Sequence, residues 1–288
     1  MRSLRQPVLW FFVLTCVLAG IGQCVHFLVS RRLAAGVPAG TPIEDTPLMT
    51  WIRCAPFVTG SGPSVAGVVL TFFLYGVAGV RRLASRLNPW PLRRAGPVLA
   101  ACLLLPVGVI VLPLGILAAF GGSVLPPSWS VSTYVGGAFF GGGLVGPGLL
   151  EEIGWRGFAL PHLQRRHSAL VSSLLIGLVW ALWHLPNFIL PSEPLPWWHP
   201  LTFVPLILAL SVLFTWVYNS TGGNLFAVVV LHGAIDTALD LRLSSDSGMM
   251  AREDGIALLL FAVIAVGLVW RYGAANLSRR ARVLAEPA

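Results

Sequence analysis

Apolar residues run along this chain in stretches of about 20, the length of helix that crosses bilayer hydrocarbon, separated by short polar or arginine-bearing segments. Eight such stretches are predicted to span the membrane, at about 7 to 29, 57 to 80, 97 to 120, 138 to 162, 169 to 190, 200 to 218, 222 to 240 and 255 to 271. Backbone groups in lipid must be bonded within their own segment, and runs this long and apolar fit helices, not barrel strands. The expected fold class is therefore all-α, a polytopic membrane bundle of about eight transmembrane helices, with residues 1–288 as a single integral membrane domain. The stretch from Pro38 to Gly62 carries Pro42, Glu44, Asp45, Pro47, Arg53 and Pro56, and reads as a loop with room for a short interfacial helix around Trp51. Arg2 and Arg5 before an apolar run look like a signal peptide. That run, however, continues to about Val29 with no small-x-small cleavage site at the usual distance, so an uncleaved first helix is expected.

Composition agrees and adds an orientation. The chain has 288 residues, 56% hydrophobic and only 10% charged. Every one of its 19 basic residues is arginine, a coding bias that points to a GC-rich bacterial genome and hence to a bacterial cytoplasmic membrane. With the N-terminus inside, the inner segments hold Arg2, Arg5, Arg81, Arg82, Arg86, Arg93, Arg94, Arg156, Arg165, Arg166, Arg271, Arg279, Arg280 and Arg282, against Arg31, Arg32, Arg53, Arg242 and Arg252 outside. Positive residues concentrate on the cytoplasmic side, so both termini are expected there. Arginines that flank spans instead of forming a stripe exclude a nucleic-acid partner, and leave the bilayer and a membrane protein or peptide as the expected ones. Cys16, Cys24, Cys54 and Cys102 show neither a CxxC pair nor metal-ligand spacing and receive no function. Gly136, Gly137, Gly141, Gly142, Gly143, Gly146 and Gly148 crowd the first half of the fourth span, which is expected to pack closely at the centre of the bundle.

Charges inside a membrane helix cost roughly 2.5 to 3.5 kcal/mol each on insertion scales and usually line a polar cavity. Here they are Glu151, Glu152, Arg156, His184, His232 and Asp236, with Asp240 at a span end and His26, read as interfacial, alone in the first span. Residues four apart share a helix face while adjacent ones diverge, so Glu152 can pair with Arg156 and Glu151 points elsewhere. Glu152 then reads as structural. Glu151, desolvated beside a like charge, reads as the base that takes a proton from water; alternatively both carboxylates share Arg156. His184 closes Trp180-Ala181-Leu182-Trp183-His184, and His232 and Asp236 share a face, with Asp236 either facing a cavity or bonding its own histidine. Glu151, His184 and His232 fall at similar predicted depths, where they could activate water, bind a divalent metal or relay protons.

Taken together, Glu151-Glu152-x-x-x-Arg156, Trp180-x-x-x-His184 and His232-x-x-x-Asp236, in this order and each in its own span, resemble the CPBP intramembrane proteases. This group, also called the ABI family, is similar to the type II CAAX prenyl endopeptidase. The motifs cover about 130 to 245, the expected catalytic core. The resemblance implies peptide-bond hydrolysis within the membrane, with Glu151 and His184 activating water and His232 with Asp236 stabilising the oxyanion. The family is often labelled metalloprotease, which would imply zinc, but a glutamate mechanism without metal has also been proposed for it. The chain departs from the family pattern at two places. Trp180 replaces the common phenylalanine, and Asp236 stands where asparagine is frequent, which favours a role in orienting His232 or binding metal over direct oxyanion donation.

The leading expectation is an endopeptidase acting on a membrane-embedded or lipid-modified protein from a cavity open to the cytoplasm. A transporter or proton relay using the same charges would commonly show internal repeats with broken helices in both halves. None is visible, since the polar residues all lie between Glu151 and Asp240. A non-catalytic scaffold or immunity protein would keep the constellation only for packing.

Overall fold

In a computed structural model, residues 6–37, 46–119, 130–144, 146–185, 199–240 and 247–286 are described, and among them the chain forms helices without a strand. Helix α1 is Pro7–Ala35, α2 Pro47–Gly60, α3 Gly62–Ser85, α4 Gly96–Ala119, α5 Val131–Gly136, α6 Pro147–Gly154, α7 Leu160–Leu163, α8 Ala169–Trp183, α9 His199–Ser220, α10 Leu225–Asp240 and α11 Ser247–Tyr272. A 3-10 turn, Trp90–Arg94, precedes α4. Starts are set locally: proline occupies the first turn of α1, α2 and α3, where its missing N–H costs nothing. Ser168 Oγ caps α8 by accepting from the Val171 N–H at 3.2 Å, and Asn224 Oδ1 caps α10 through the Ala227 N–H at 3.0 Å.

The fold is a polytopic membrane bundle. Among the described residues, Pro7–Ala35, Gly62–Arg93, His199–Ser220 and Asp254–Tyr272 are long and apolar enough to cross a bilayer, and Ala169–Trp183 and Leu225–Leu239 are shorter apolar helices. The burial pattern suits lipid. On α11, Ala257 and Phe261 face inward, while Leu259, Val263, Val266 and Trp270 stand exposed on the outside. Polar residues are instead inside: Glu151, Glu152, Arg156, Gln164, Ser211, Thr215, Asn219 and His232 are all buried. This is the reverse of a water-soluble surface and matches a surface solvated by hydrocarbon.

Two expectations are corrected. In the segment before Gly62, the short helix expected around Trp51 is present but longer than a loop reading allows, running over Pro47–Gly60 and packed on α1, while 38–45 lie outside the described residues, as do Arg2, Arg5, Arg242 and Pro186. The fourth span is not one helix. It runs as α5, a π-helical stretch over Gly137–Leu144, a break with extended backbone at Gly146, then α6, a π stretch over Trp155–Ala159, and α7. Pro147 cannot donate backward and clashes with the preceding turn, so it restarts the helix instead of continuing it. Glycine does provide close approach here. A Cβ on Gly154 would overlap the Pro63 carbonyl of α3, and one on Gly67 would stand 2.9 Å from Gly154 Cα. Helix α9 is buried almost continuously from Leu206 to Asn219.

Candidate active site

The restart at Pro147 sets the rotation of α6, which sends its two carboxylates different ways. Glu151 Oε2 accepts from Trp180 Nε1 at 2.7 Å and from Trp155 Nε1 at 3.3 Å. Glu152 Oε1 accepts from Arg156 Nη1 at 2.8 Å and lies 2.8 Å from His232 Nδ1. Arg156 is fully enclosed: its Cζ lies 4.9 Å from the ring centre of Trp180 and 4.6 Å from that of Phe214. Its Nη2 donates to Ser211 Oγ at 3.3 Å, and that hydroxyl donates to the Ser173 carbonyl at 2.7 Å. The expected Glu152–Arg156 pair is therefore present, and sharing of Arg156 by both carboxylates is not seen among the described contacts.

His232 stands between two acids. Nδ1 faces Glu152, and Nε2 lies 3.4 Å from Asp236 Oδ2. The shorter contact is of charge-assisted length and fixes the ring, which also packs against Trp180 and Phe214 at centroid distances of 5.4 and 5.3 Å. Asp236 thus bonds its own histidine weakly and lines the cavity as well, so both expected roles coexist geometrically. His184 terminates α8. Its Nδ1 lies 2.9 Å from the Trp180 carbonyl, an acceptor only, so Nδ1 carries the proton and Nε2 of the neutral ring is an acceptor.

The cavity these groups share has a volume of about 200 Å³ and is lined by Glu151, His184, His232 and Asp236 together with Trp180, Phe203, His199 and Asp254, among others. The structure brings all six residues singled out from the sequence to this one place, on α6, the π turn after it, the end of α8, and α10. His26 is elsewhere, its ring stacked on Trp51 at 6.2 Å. Sequence reasoning missed Trp155 and Trp180 as donors to Glu151, Ser211 behind Arg156, and the His199–Asp254 pair, 3.3 Å apart, at the cavity rim. The i,i+4 relation of Trp155 to Glu151 was available as a signal. His199 and Asp254 lie at predicted span ends, where a polar residue reads as interfacial.

The cavity's lining residues sit toward one end of the helices. At 1.5 Å per residue, Glu151 lies about 21 Å along the chain from Arg165, His184 about 22 Å from Ala169, and His199 about 31 Å from Ser220. The cavity accordingly extends from His232 toward the ends where α9 and α11 begin, away from the arginines. Among the described residues no three His, Cys, Asp or Glu side chains are grouped to hold a metal ion. Both nitrogens of His232 face carboxylates and Glu152 is committed to Arg156, so the donor set as arranged does not fit zinc.

Residues 136–238 match the family model described as Type II CAAX prenyl endopeptidase Rce1-like. A curated relative, CAAX prenyl protease 2 of Methanococcus maripaludis, is 29% identical over 121 residues, 40% of this chain, and the match spans 44% of that relative's length.

Proposed function

We infer, taking as premise that residues 136–238 belong to the type II CAAX prenyl endopeptidase family, that this protein is an intramembrane endopeptidase. On this reading it hydrolyses a peptide bond of a membrane-associated or lipid-modified protein. The observation that carries the reading is Glu151, 4% exposed and tethered at one oxygen by two indoles, facing a cavity that the imidazoles of His184 and His232 also line.

The chemistry follows from the groups in reach. A water between Glu151 and the unprotonated Nε2 of His184 is oriented by both and gives its proton to Glu151 as its oxygen attacks the scissile carbonyl carbon. The carbonyl π pair moves onto oxygen, forming a tetrahedral oxyanion. His232 donates to that oxyanion from Nε2, an interaction worth about 3 kcal/mol in a water-poor site. Its 3.4 Å contact with Asp236 is longer than a strong charge-assisted bond, so the proton can be redirected to the substrate while Glu152 holds the ring from the other side. Collapse then breaks the C–N bond as the proton held by Glu151 passes to the leaving nitrogen, and the remaining proton of the new carboxylic acid passes to the amine, so that a carboxylate and an ammonium depart. The membrane is on this reading the bacterial cytoplasmic one, with both termini and the arginine-rich end inside the cell.

Glu151→Gln and His184→Ala should each abolish cleavage of a verified substrate by purified protein whose thermal unfolding in detergent is unchanged, while chelators leave the parent's activity intact. Cleavage at parental rates by both folded variants would sink the assignment. Activity lost on chelation and restored by zinc would replace the glutamate mechanism with a metal one.

A further inference from the structure

The close of α3, the α7–α8 turn and the tail after α11 meet at the arginine-rich end of the bundle, and the tail lies across that end as a strap. Gln164 Nε2 donates to the Val283 carbonyl at 2.7 Å, Asn219 Nδ2 to the Asn276 carbonyl at 2.9 Å, Arg282 Nε to the Gln164 carbonyl at 2.9 Å, and the Ala285 N–H to the Pro161 carbonyl at 3.0 Å. The last described residue of the strap is held by side chains of α3 and the turn. The Glu286 carbonyl accepts from Tyr75 Oη at 3.0 Å and from Arg165 Nη1 at 3.2 Å, and its carboxylate stands 3.0 Å from Arg82 Nη2. Helix α3 is shaped for this contact. Gly76 takes φ 63°, in the left-handed region that favours glycine, and kinks the helix beside Tyr75, while a Cβ on Gly79 would overlap the Tyr75 side chain.

The hydrogens of this contact do not balance around a neutral histidine. Tyr75 Oη also lies 3.0 Å from His162 Nε2, and His162 Nδ1 lies 2.7 Å from the Phe158 carbonyl. The chain of partners therefore runs from the Phe158 carbonyl through the His162 ring and the Tyr75 hydroxyl to the Glu286 carbonyl, with an acceptor at each end. Three bonds need three protons, yet the hydroxyl carries one and a neutral imidazole one more. With its proton on Nδ1, the neutral ring leaves a single hydroxyl proton to serve both Nε2 and the Glu286 carbonyl. With its proton on Nε2, it turns a bare Nδ1 toward the Phe158 carbonyl. The imidazolium, a donor at both nitrogens, completes all three bonds. The charged groups facing this cluster among the described residues are Arg82 and Arg86 from α3, Arg165 from the α7–α8 turn, and Glu286, so the carboxylate arrives with the tail.

We propose that His162 is a proton-binding site coupled to the tail: the end of the chain docks on Tyr75 when the ring is doubly protonated and loosens as that proton is lost. Docking and proton uptake favour each other because each completes the other's hydrogen bonds. One linked proton makes the docking constant fall by up to about tenfold per pH unit as the ring gives it up. The test uses the full chain in lipid nanodiscs, with Leu284→Cys in a background lacking Cys16, Cys24, Cys54 and Cys102 and a nitroxide on the new thiol. Leu284 is exposed between docked neighbours, so the label's mobility reports docking. Between pH 5 and 9 the immobile fraction should decrease as pH rises, through a single one-proton transition. His162→Gln should abolish the transition. Tyr75→Phe, which keeps the ring and removes the hydroxyl joining it to the tail, should flatten it, and covers the case in which His162→Gln does not fold. Mobility that is constant or falls with rising pH in the parent, or an undiminished transition in either folded variant, would overturn the proposal. The readout involves no catalysis, so it stands or falls independently of the endopeptidase reading.

Discussion

Trp180 holds Glu151 in a way that a phenylalanine in its place could not, and covers Arg156 more strongly than one would. Its indole N–H holds Glu151 Oε2 at 2.7 Å, and its face, more electron-rich than a phenyl ring, covers the Arg156 guanidinium. A hydrogen bond to a charged group is worth about 1.5 to 3 kcal/mol, so Trp180→Phe should lower kcat roughly 10- to 150-fold through misplacement of Glu151, with KM little changed. A variant with parental kcat and a lowered KM would show that Trp180 only narrows the pocket. Helical spacing alone pairs Glu152 with Arg156, because that contact lies within one helix. The indole bond crosses 29 positions and depends on how two helices pack, so no spacing rule contains it. The same limit hides the Glu152–His232 contact, which makes Glu152 the bridge between a fixed cation and a ring that turns toward substrate.

At the level of elements, α3 and α6 pack with glycine at their contact. Gly154 lies against Pro63 with no room for a side chain, and Ser64 Oγ donates to the Leu149 carbonyl at 2.9 Å, pinning the first turn of α3 to the turn that carries Glu151. Gly154→Ala should force these helices apart and cost about 1 to 3 kcal/mol, read as a lowered Tm in detergent, with activity falling as Glu151 shifts. An unchanged Tm would mean that the helices slide without strain. Most spans were legible in the sequence because twenty apolar residues in a row admit few structures in lipid. The fourth was not. Its glycines permit several helical windings, and the choice of two π stretches around a break at Gly146 is made by α10 and α3, which press on it from both sides. Likewise, of α2 only a short helix around Trp51 was legible among its prolines, and its full length goes with its packing on α1.

For the whole molecule, the arginine tally marks one end of the bundle, and the lining of the candidate site's cavity lies toward the other. Depth along each helix was readable from residue counts, but whether the polar residues open upward or downward depends on which end the chain closes, and that closure is made by residues after the last span. The closure centres on a reciprocal amide pair, Gln164 Nε2 to Asn219 Oδ1 at 3.2 Å and Asn219 Nδ2 to Gln164 Oε1 at 2.8 Å, both side chains wholly buried. Gln164→Ala or Asn219→Ala should each destabilise by about 1 to 3 kcal/mol, since each strands its buried partner, and the double variant should cost less than the two together. Additive losses in thermal unfolding would show that the amides act independently.

This pair has a consequence in time. Gln164 and Asn219 are synthesised well before Asn276, Arg282 and Val283, whose backbone groups complete their hydrogen bonds, so this end of the bundle cannot finish while the chain is being inserted. A product that stops between α11 and Asn276 would contain every residue of the candidate site and every apolar helix among the described residues, yet leave two amides without their carbonyl partners. The last contacts of this end to form are thus made away from the chemistry, after the residues that would perform it are already in place.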